Sequence, residues 1–87
     1  MTQEHEYHVA SFVAHGRPES SEVLSQEIIA IEGAEIHAVS EEGKIVFTIE
    51  ANNQKLIAAR LDEFKHHDEL MSLSPIYHQF LTENEPN

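Results

Sequence analysis

The sequence predicts an α+β fold in which two β-α-β units in tandem build a four-stranded antiparallel sheet with both helices on one face. Three observations carry this. The chain reads strand, helix, strand, strand, helix, strand within only 87 residues. Two apolar stripes, Leu24/Ile28/Ile31 and Ile57/Leu61/Phe64, have the i, i+4, i+7 spacing of a helix face. Two adjacent runs, Ala34–Val39 and Lys44–Ala51, alternate with the period of a strand and are joined by a short glycine-containing connection.

Each element has its own local reason. Tyr7 to Ala14 is rich in β-branched and aromatic residues and holds no helix starter, so it reads as the first strand. Gly16-Arg17-Pro18 interrupts it, and Pro18 suits the first turn of a helix. Glu19 and Glu22 near that start suit the positive end of the helix dipole, and Gly33 is expected to stop the helix as its C′ residue. In the next strand Ala34, Ile36 and Ala38 should point one way and Glu35, His37 and Val39 the other. Ser40-Glu41-Glu42-Gly43 is the turn, after which Ile45, Phe47 and Ile49 should face the helices and Val46, Thr48 and Glu50 the opposite side. Asn52 or Asn53 is the cap of the second helix, which should end near His66-His67-Asp68. Leu70 to Phe80 is the last strand. Pro75 within it lacks a ladder donor, which implies an edge strand or a bulge. The polar stretch 82–87 is expected to be a frayed tail to a single domain whose ordered body spans about 6–81. The first strand's register is left open, because Val9/Ser11/Val13 and Ala10/Phe12/Ala14 are both apolar enough to face a core. The whole is the ferredoxin-like arrangement, with expected spatial order 4-1-3-2.

Composition excludes several functions. Asp and Glu number 16 against 5 Lys and Arg, a net charge of −11, and there is no basic cluster, so nucleic acid is a poor partner. No cysteine is present, which removes disulfides, thiolate metal sites and thiol nucleophiles and fits a reducing compartment. No apolar run reaches the ~18–20 residues of a membrane helix. The start, Met1-Thr2-Gln3-Glu4-His5-Glu6, is acidic with no apolar signal core behind it, so a cytoplasmic protein without membrane insertion is expected.

Candidate chemistry is sparse. The 7 histidines, His5, His8, His15, His37, His66, His67 and His78, show no His-x3-His spacing, and adjacent His66 and His67 diverge on a helix, so solvated histidines are expected rather than a metal site. Glu41-Glu42 reads as a solvated turn pair, and Ser20-Ser21 as helix-start residues without an organised base. His15-Gly16-Arg17 before a helix is the one candidate anion loop, the kind of position an acyl phosphate hydrolase of this fold class would use. It is short and has Glu19 and Glu22 beside it. No enzyme and no cofactor are expected. The uncovered sheet face is the better candidate. Small apolar groups mixed with acids there would suit an arginine-bearing amphipathic helix or an extended strand.

Longer segments resemble a known family. Leu70-Met71-Ser72-Leu73-Ser74-Pro75-Ile76-Tyr77-His78-Gln79, followed by an acidic tail, resembles the closing strand of the NapD family, which typically holds a Ser-Leu-Val-Tyr-His run. Val9-Ala10-Ser11-Phe12-Val13 is similar to that family's Val-x-Ser-Leu-Val opening. Gly33-Ala34-Glu35-Ile36-His37, Gly43-Lys44-Ile45-Val46-Phe47 and Ile49-Glu50-Ala51 follow the order of its middle. Two departures are Ser74-Pro75-Ile76 inside the last strand and Ile31-Glu32-Gly33 where Leu-Pro-Gly is usual. The resemblance spans nearly the whole chain. It implies a ferredoxin-like cytoplasmic chaperone that binds the twin-arginine signal peptide of the periplasmic nitrate reductase catalytic subunit. Such a chaperone delays export until cofactor insertion and folding are complete. It would hold no cofactor itself and bind the peptide as a helix against the sheet.

Strand parity and this resemblance together give the expected platform. Glu35 and Glu50 should meet the arginines, with Ser11, Val13, His37, Val46 and Thr48 beneath the rest of the peptide and Leu73 and Tyr77 completing the surface. A monomer is expected. The alternative is a small-molecule-binding regulatory domain of the same topology, with ligands at a dimer interface.

Overall fold

The computed structural model describes residues 6–82, and side chains from residue 8 to residue 76. Strand β1 covers Glu6–Gly16, a short 3-10 turn Pro18–Ser20 leads into helix α1 at Ser21–Ile29, and strands β2 and β3 cover Ala34–Val39 and Lys44–Ala51. Helix α2 covers Gln54–Lys65 and strand β4 covers Leu70–Thr82. The sheet order is β2-β3-β1-β4 with all three pairings antiparallel, which is the expected 4-1-3-2 order read from the other edge. Thr82, the first residue of the expected tail, closes β4; the rest of that tail lies outside the described residues.

The core occupies one side of the sheet. Ile45, Phe47 and Ile49 of β3 are fully buried, together with Leu24 and Ile28 of α1, while Ile57, Leu61 and Phe64 of α2 close the other end. The register of β1, which pattern left open, falls to the set that alternates alanine with phenylalanine. Ala10, Phe12 and Ala14 pair with Ile49, Phe47 and Ile45 and face the helices. Two alanines opposite two isoleucines alternate volumes across the layer, which lets the larger side chains interdigitate. At its centre the Phe12 and Phe47 rings stack with centroids 5.5 Å apart, and Phe47 meets Phe64 edge-on at 6.0 Å. Such aromatic pairs add about 0.5–1.5 kcal/mol each beyond simple burial.

Both helices end as their local chemistry dictates, with one revision. The side chain of Asn53 accepts from the Leu56 N–H at 2.9 Å and caps α2. The Ser20 hydroxyl donates to the Glu69 carboxylate, tying the start of α1 to the loop before β4. Helix α1 ends at Ile29, four residues before Gly33, so Gly33 is not its C′ residue. The last turn instead tightens, with Ile31 N–H bonding to the Ile28 carbonyl at 2.9 Å, and Ile31 packs on the core from outside the helix. Gly33 serves a close approach. Its φ is +82°, and a Cβ there would sit 2.2 Å from the Glu50 carbonyl oxygen. Gly43 has the same role in the hairpin turn, with φ +96° and a hypothetical Cβ 2.1 Å from the Gly16 carbonyl oxygen.

Three bulges break simple alternation. In β2, Ile36 pairs with Phe47 and Ala38 with Val46, so His37 is the extra residue. Ala38 therefore shares the uncovered side with Val46, and Val39 stands opposite core residue Ile45, the reverse of the parity expectation for both. In β4, Met71 and Ile76 are skipped by the pairing with β1. Between these two bulges, Leu73 pairs with Ala14 and Pro75 with Phe12, on the helix side, while Ser72 and Ser74 pair with His15 and Val13 on the other. Pro75 thus lies both on an edge strand and beside a bulge, where its missing donor is tolerated. The exposure of Met71 and Ile76 follows from their position as the extra residues.

Two outcomes test this layout. Phe47→Ala should cost about 3–5 kcal/mol, most of the stability of a domain this small, read as a large drop in the urea midpoint. Leu73→Ala should lower stability by about 1–2 kcal/mol, whereas Ser72→Ala, one residue away on the opposite side, should stay within about 0.5 kcal/mol of the parent in the same assay.

Candidate functional site: the open face of the sheet

The side of the sheet away from the helices is built from alternate residues of all four strands. Helix α1 packs on β2 and β3, and α2 on β3 and β1, always through the buried set. Among the described residues no helix covers the opposite face. Val9, Ser11 and Val13 of β1 and Val46 and Thr48 of β3 point there and are half-buried. The pairings align them in rows. Glu35, Thr48, Ser11 and the backbone of Tyr77 form one row across the sheet, and Ala38, Val46, Val13 and Ser74 form the next. Directly opposed residues have Cα atoms about 4.5–5.5 Å apart, so each row is about 14 Å wide.

The expected platform residues divide as follows. Ser11, Val13, Glu35, Val46, Thr48 and Glu50 lie on the open face as parity implied. His37 reaches it by a different route. As the bulge residue it has no strand partner, and its Nε2 lies 2.8 Å from Thr48 Oγ1 in a hydrogen bond that draws the ring over the face. Leu73 does not belong to the platform. It packs against the core, because the Ile76 bulge shifts parity between Tyr77 and Leu73. Tyr77 is placed by its backbone opposite Ser11, and its side chain lies outside the described residues. Parity reasoning missed Ala38, Ser72 and Ser74. Nothing in the sequence marks His37 as a bulge; Pro75 was the one signal that β4 would not alternate strictly.

Two carboxylates on the face have no partner among the described residues. Glu35 and Glu50 are exposed, and their side chains make no hydrogen bond or ion pair among the described residues. Three of the 5 Lys and Arg residues pair with other carboxylates: Lys44 with Glu42 at 4.0 Å, Arg60 with Glu32 at 3.6 Å and Lys65 with Asp62 at 3.8 Å. The backbone of Glu50 is nevertheless fixed. Its N–H donates to the Gly33 carbonyl at 2.9 Å, and its carbonyl accepts from Arg60 Nη1 at 3.4 Å. A rigid backbone therefore presents an uncommitted carboxylate.

Other parts of the molecule offer less. Gly16 N–H donates to the Gly43 carbonyl at 3.0 Å and Ser20 N–H to the Arg17 carbonyl at 2.9 Å, so two of the backbone donors around His15-Gly16-Arg17 are already used. No group of three metal-ligating side chains occurs among the described residues. On the helix side, an apolar groove of about 410 Å³ runs between α2 and β4, lined by Phe12, Ile57, Leu61 and Pro75. Among the described residues no helix is long and apolar enough to cross a membrane. What the open face presents is acceptor oxygens at one end and short apolar side chains beside them.

Comparison with known proteins agrees with this architecture. The chaperone NapD of Haemophilus influenzae is 28% identical over 75 residues, covering 85% of this chain and 81% of that protein. The solution structure of the Escherichia coli Tat proofreading chaperone protein NapD matches with a TM-score of 0.76 at 20% identity, over 92% of this chain and 84% of that one. A transcriptional regulatory protein of the AsnC family from Pyrococcus furiosus matches with a TM-score of 0.61, also at 20% identity, over 92% of this chain and 53% of that one. At such identities the structural likenesses establish the ferredoxin-like fold alone. The family model for NapD protein matches residues 7–82, nearly the whole described chain, and this chain belongs to the NapD chaperone family.

Proposed function

We propose that this chain is a cytoplasmic chaperone that binds, on its open sheet face, the twin-arginine signal peptide of the periplasmic nitrate reductase catalytic subunit. Export is held back until that subunit has received its cofactors and folded. The observation that carries the proposal is the pair of exposed, uncommitted carboxylates, Glu35 and Glu50, beside a half-buried apolar strip on a face that no helix covers among the described residues. Family membership supplies the chaperone role, and the E. coli relative's designation as a Tat proofreading protein supports the type of peptide.

The physical case is direct. Adjacent arginines present planar guanidinium forks that a carboxylate accepts bidentately. The apolar run of an export signal would cover Val9, Val13, Val46 and Ala38, and each further ~100 Å² of apolar surface removed from water contributes about 2.5 kcal/mol. The sheet's backbone groups are spent on its own ladders, so a peptide lying on the face must satisfy its N–H and C=O groups internally. A helix does so, and the bulges at His37 and Ile76 disturb both edges where an added strand would otherwise pair. The net charge of −11 attracts a cationic leader over long range. The protein's part is to bind and shield; no step of bond chemistry is assigned to it.

Titration calorimetry with a synthetic twin-arginine signal peptide tests the proposal. Glu35→Gln and Glu50→Gln should each weaken binding about two- to tenfold while leaving thermal stability unchanged, since both side chains are exposed. Raising the ionic strength from about 0.02 M to 0.5 M should also weaken binding to the parent protein. Full affinity in the double variant would remove the carboxylates from the account.

A further inference from the structure

The open face is electrically polar along its strands. Glu35 and Glu50 stand at one end, where β2 begins and β3 finishes, next to Val9. Lys44 and His15, directly paired, stand at the other, with Ser72 beyond His15. Between Glu50 and Lys44 lie the rows of Ser11 and Thr48 and of Val13 and Val46, whose β1 and β3 members carry no charge, with Glu35 beside Thr48 at the β2 edge. Lys44 is partly offset by Glu42, 4.0 Å away, yet Glu42 belongs to the hairpin turn and Lys44 is the only Lys or Arg in β1, β2 or β3.

We infer that this polarity fixes the direction in which the peptide lies. Resting on the peptide-binding function proposed above, the assignment places the arginines against Glu35 and Glu50 and the C-terminal end of the apolar segment over Lys44 and His15. Two physical terms point the same way. The guanidinium groups gain most at the two free carboxylates and are repelled by Lys44. A helical segment so oriented turns its positive N-terminal dipole end to the acids and its negative C-terminal end to Lys44. The span also fits: Glu50 and Lys44 are six residues apart on β3, about 20 Å, the length of a helix of about 13 residues. The opposite direction would set arginines against Lys44 and the helix C-terminus against two carboxylates. Lys44 and His15 thereby become orientation-determining residues.

Paramagnetic broadening on the isotope-labelled full-length protein decides the matter. The probe is a synthetic peptide with two adjacent arginines followed by an apolar run of about 12 residues, carrying a nitroxide at one end or the other. A label at the arginine end should broaden the amides of Val9, Glu35 and Glu50, and a label at the far end those of His15, Lys44 and Ser72. A reversed pattern, or equal broadening of both ends by each label, would overturn the assignment while leaving peptide binding to the face intact. Perturbation confined to α1 and α2, or no binding, would instead overturn the function on which it rests. Lys44→Glu supplies an independent readout. It should weaken the unlabelled peptide about two- to fivefold, whereas tighter binding by this variant would mean the arginines lie at its end.

Discussion

Everything in this fold depends on the two helices burying their apolar stripes on the same side of the sheet. The stacked and edge-on rings of Phe12, Phe47 and Phe64 join the two central strands to α2, and Leu24 and Ile28 add α1 to the same layer. Both helices pack through this buried set, and among the described residues neither covers the other face. The open surface is therefore a consequence of how the core is made. A two-layer domain of this size has too little apolar sequence left to roof the second side, and that side becomes available to something else.

The surface so exposed is shaped by departures from regular strand geometry. Bulges at His37, Met71 and Ile76 add local twist and change which residues share a side. Their effect differs by location. At His37 the bulge brings an imidazole into contact with Thr48 and moves Ala38 beneath the open face. In β4 the two bulges return Leu73 and Leu70 to the core and leave serines at the outer positions, so this edge contributes a more polar margin. Both edge strands are thereby irregular, which blunts edge-to-edge pairing and leaves the face as the better docking surface.

Charge then differentiates the face. A chain with 16 acidic residues cannot neutralise them with 5 cations, and among the described residues Lys and Arg form ion pairs in the hairpin turn, at the end of α1 and along α2. Glu35 and Glu50 are left over at one end of the sheet. The backbone of Glu50 is held by the Gly33 carbonyl and by Arg60, and Gly33 is there because no side chain would fit against the Glu50 carbonyl. The glycine that pattern assigned to a helix end thus sets a close crossing beneath the site's acidic corner.

Most of the architecture was legible in the chain because periodicity reports directly on which side of an element is buried. The α2 stripe, the Leu24/Ile28 part of the α1 stripe, the alternation of β3, an asparagine cap at Asn52 or Asn53, the hairpin and the order of elements follow from local spacing, and so do Glu50, Thr48 and Val46 on one side of β3. The segments resembling the NapD family were likewise legible, since they are ordered strings of residues. Three things were decided only in three dimensions. The register of β1 depended on which apolar set packs better against Phe47 and the helices, a matter of volume that alternation cannot resolve. The end of α1 depended on the approach of Gly33 to β3. Which side Leu73, Ala38 and Val39 face depended on bulges, because a strand's period of two loses its phase wherever one residue goes unpaired, and only the partner strand determines where that happens.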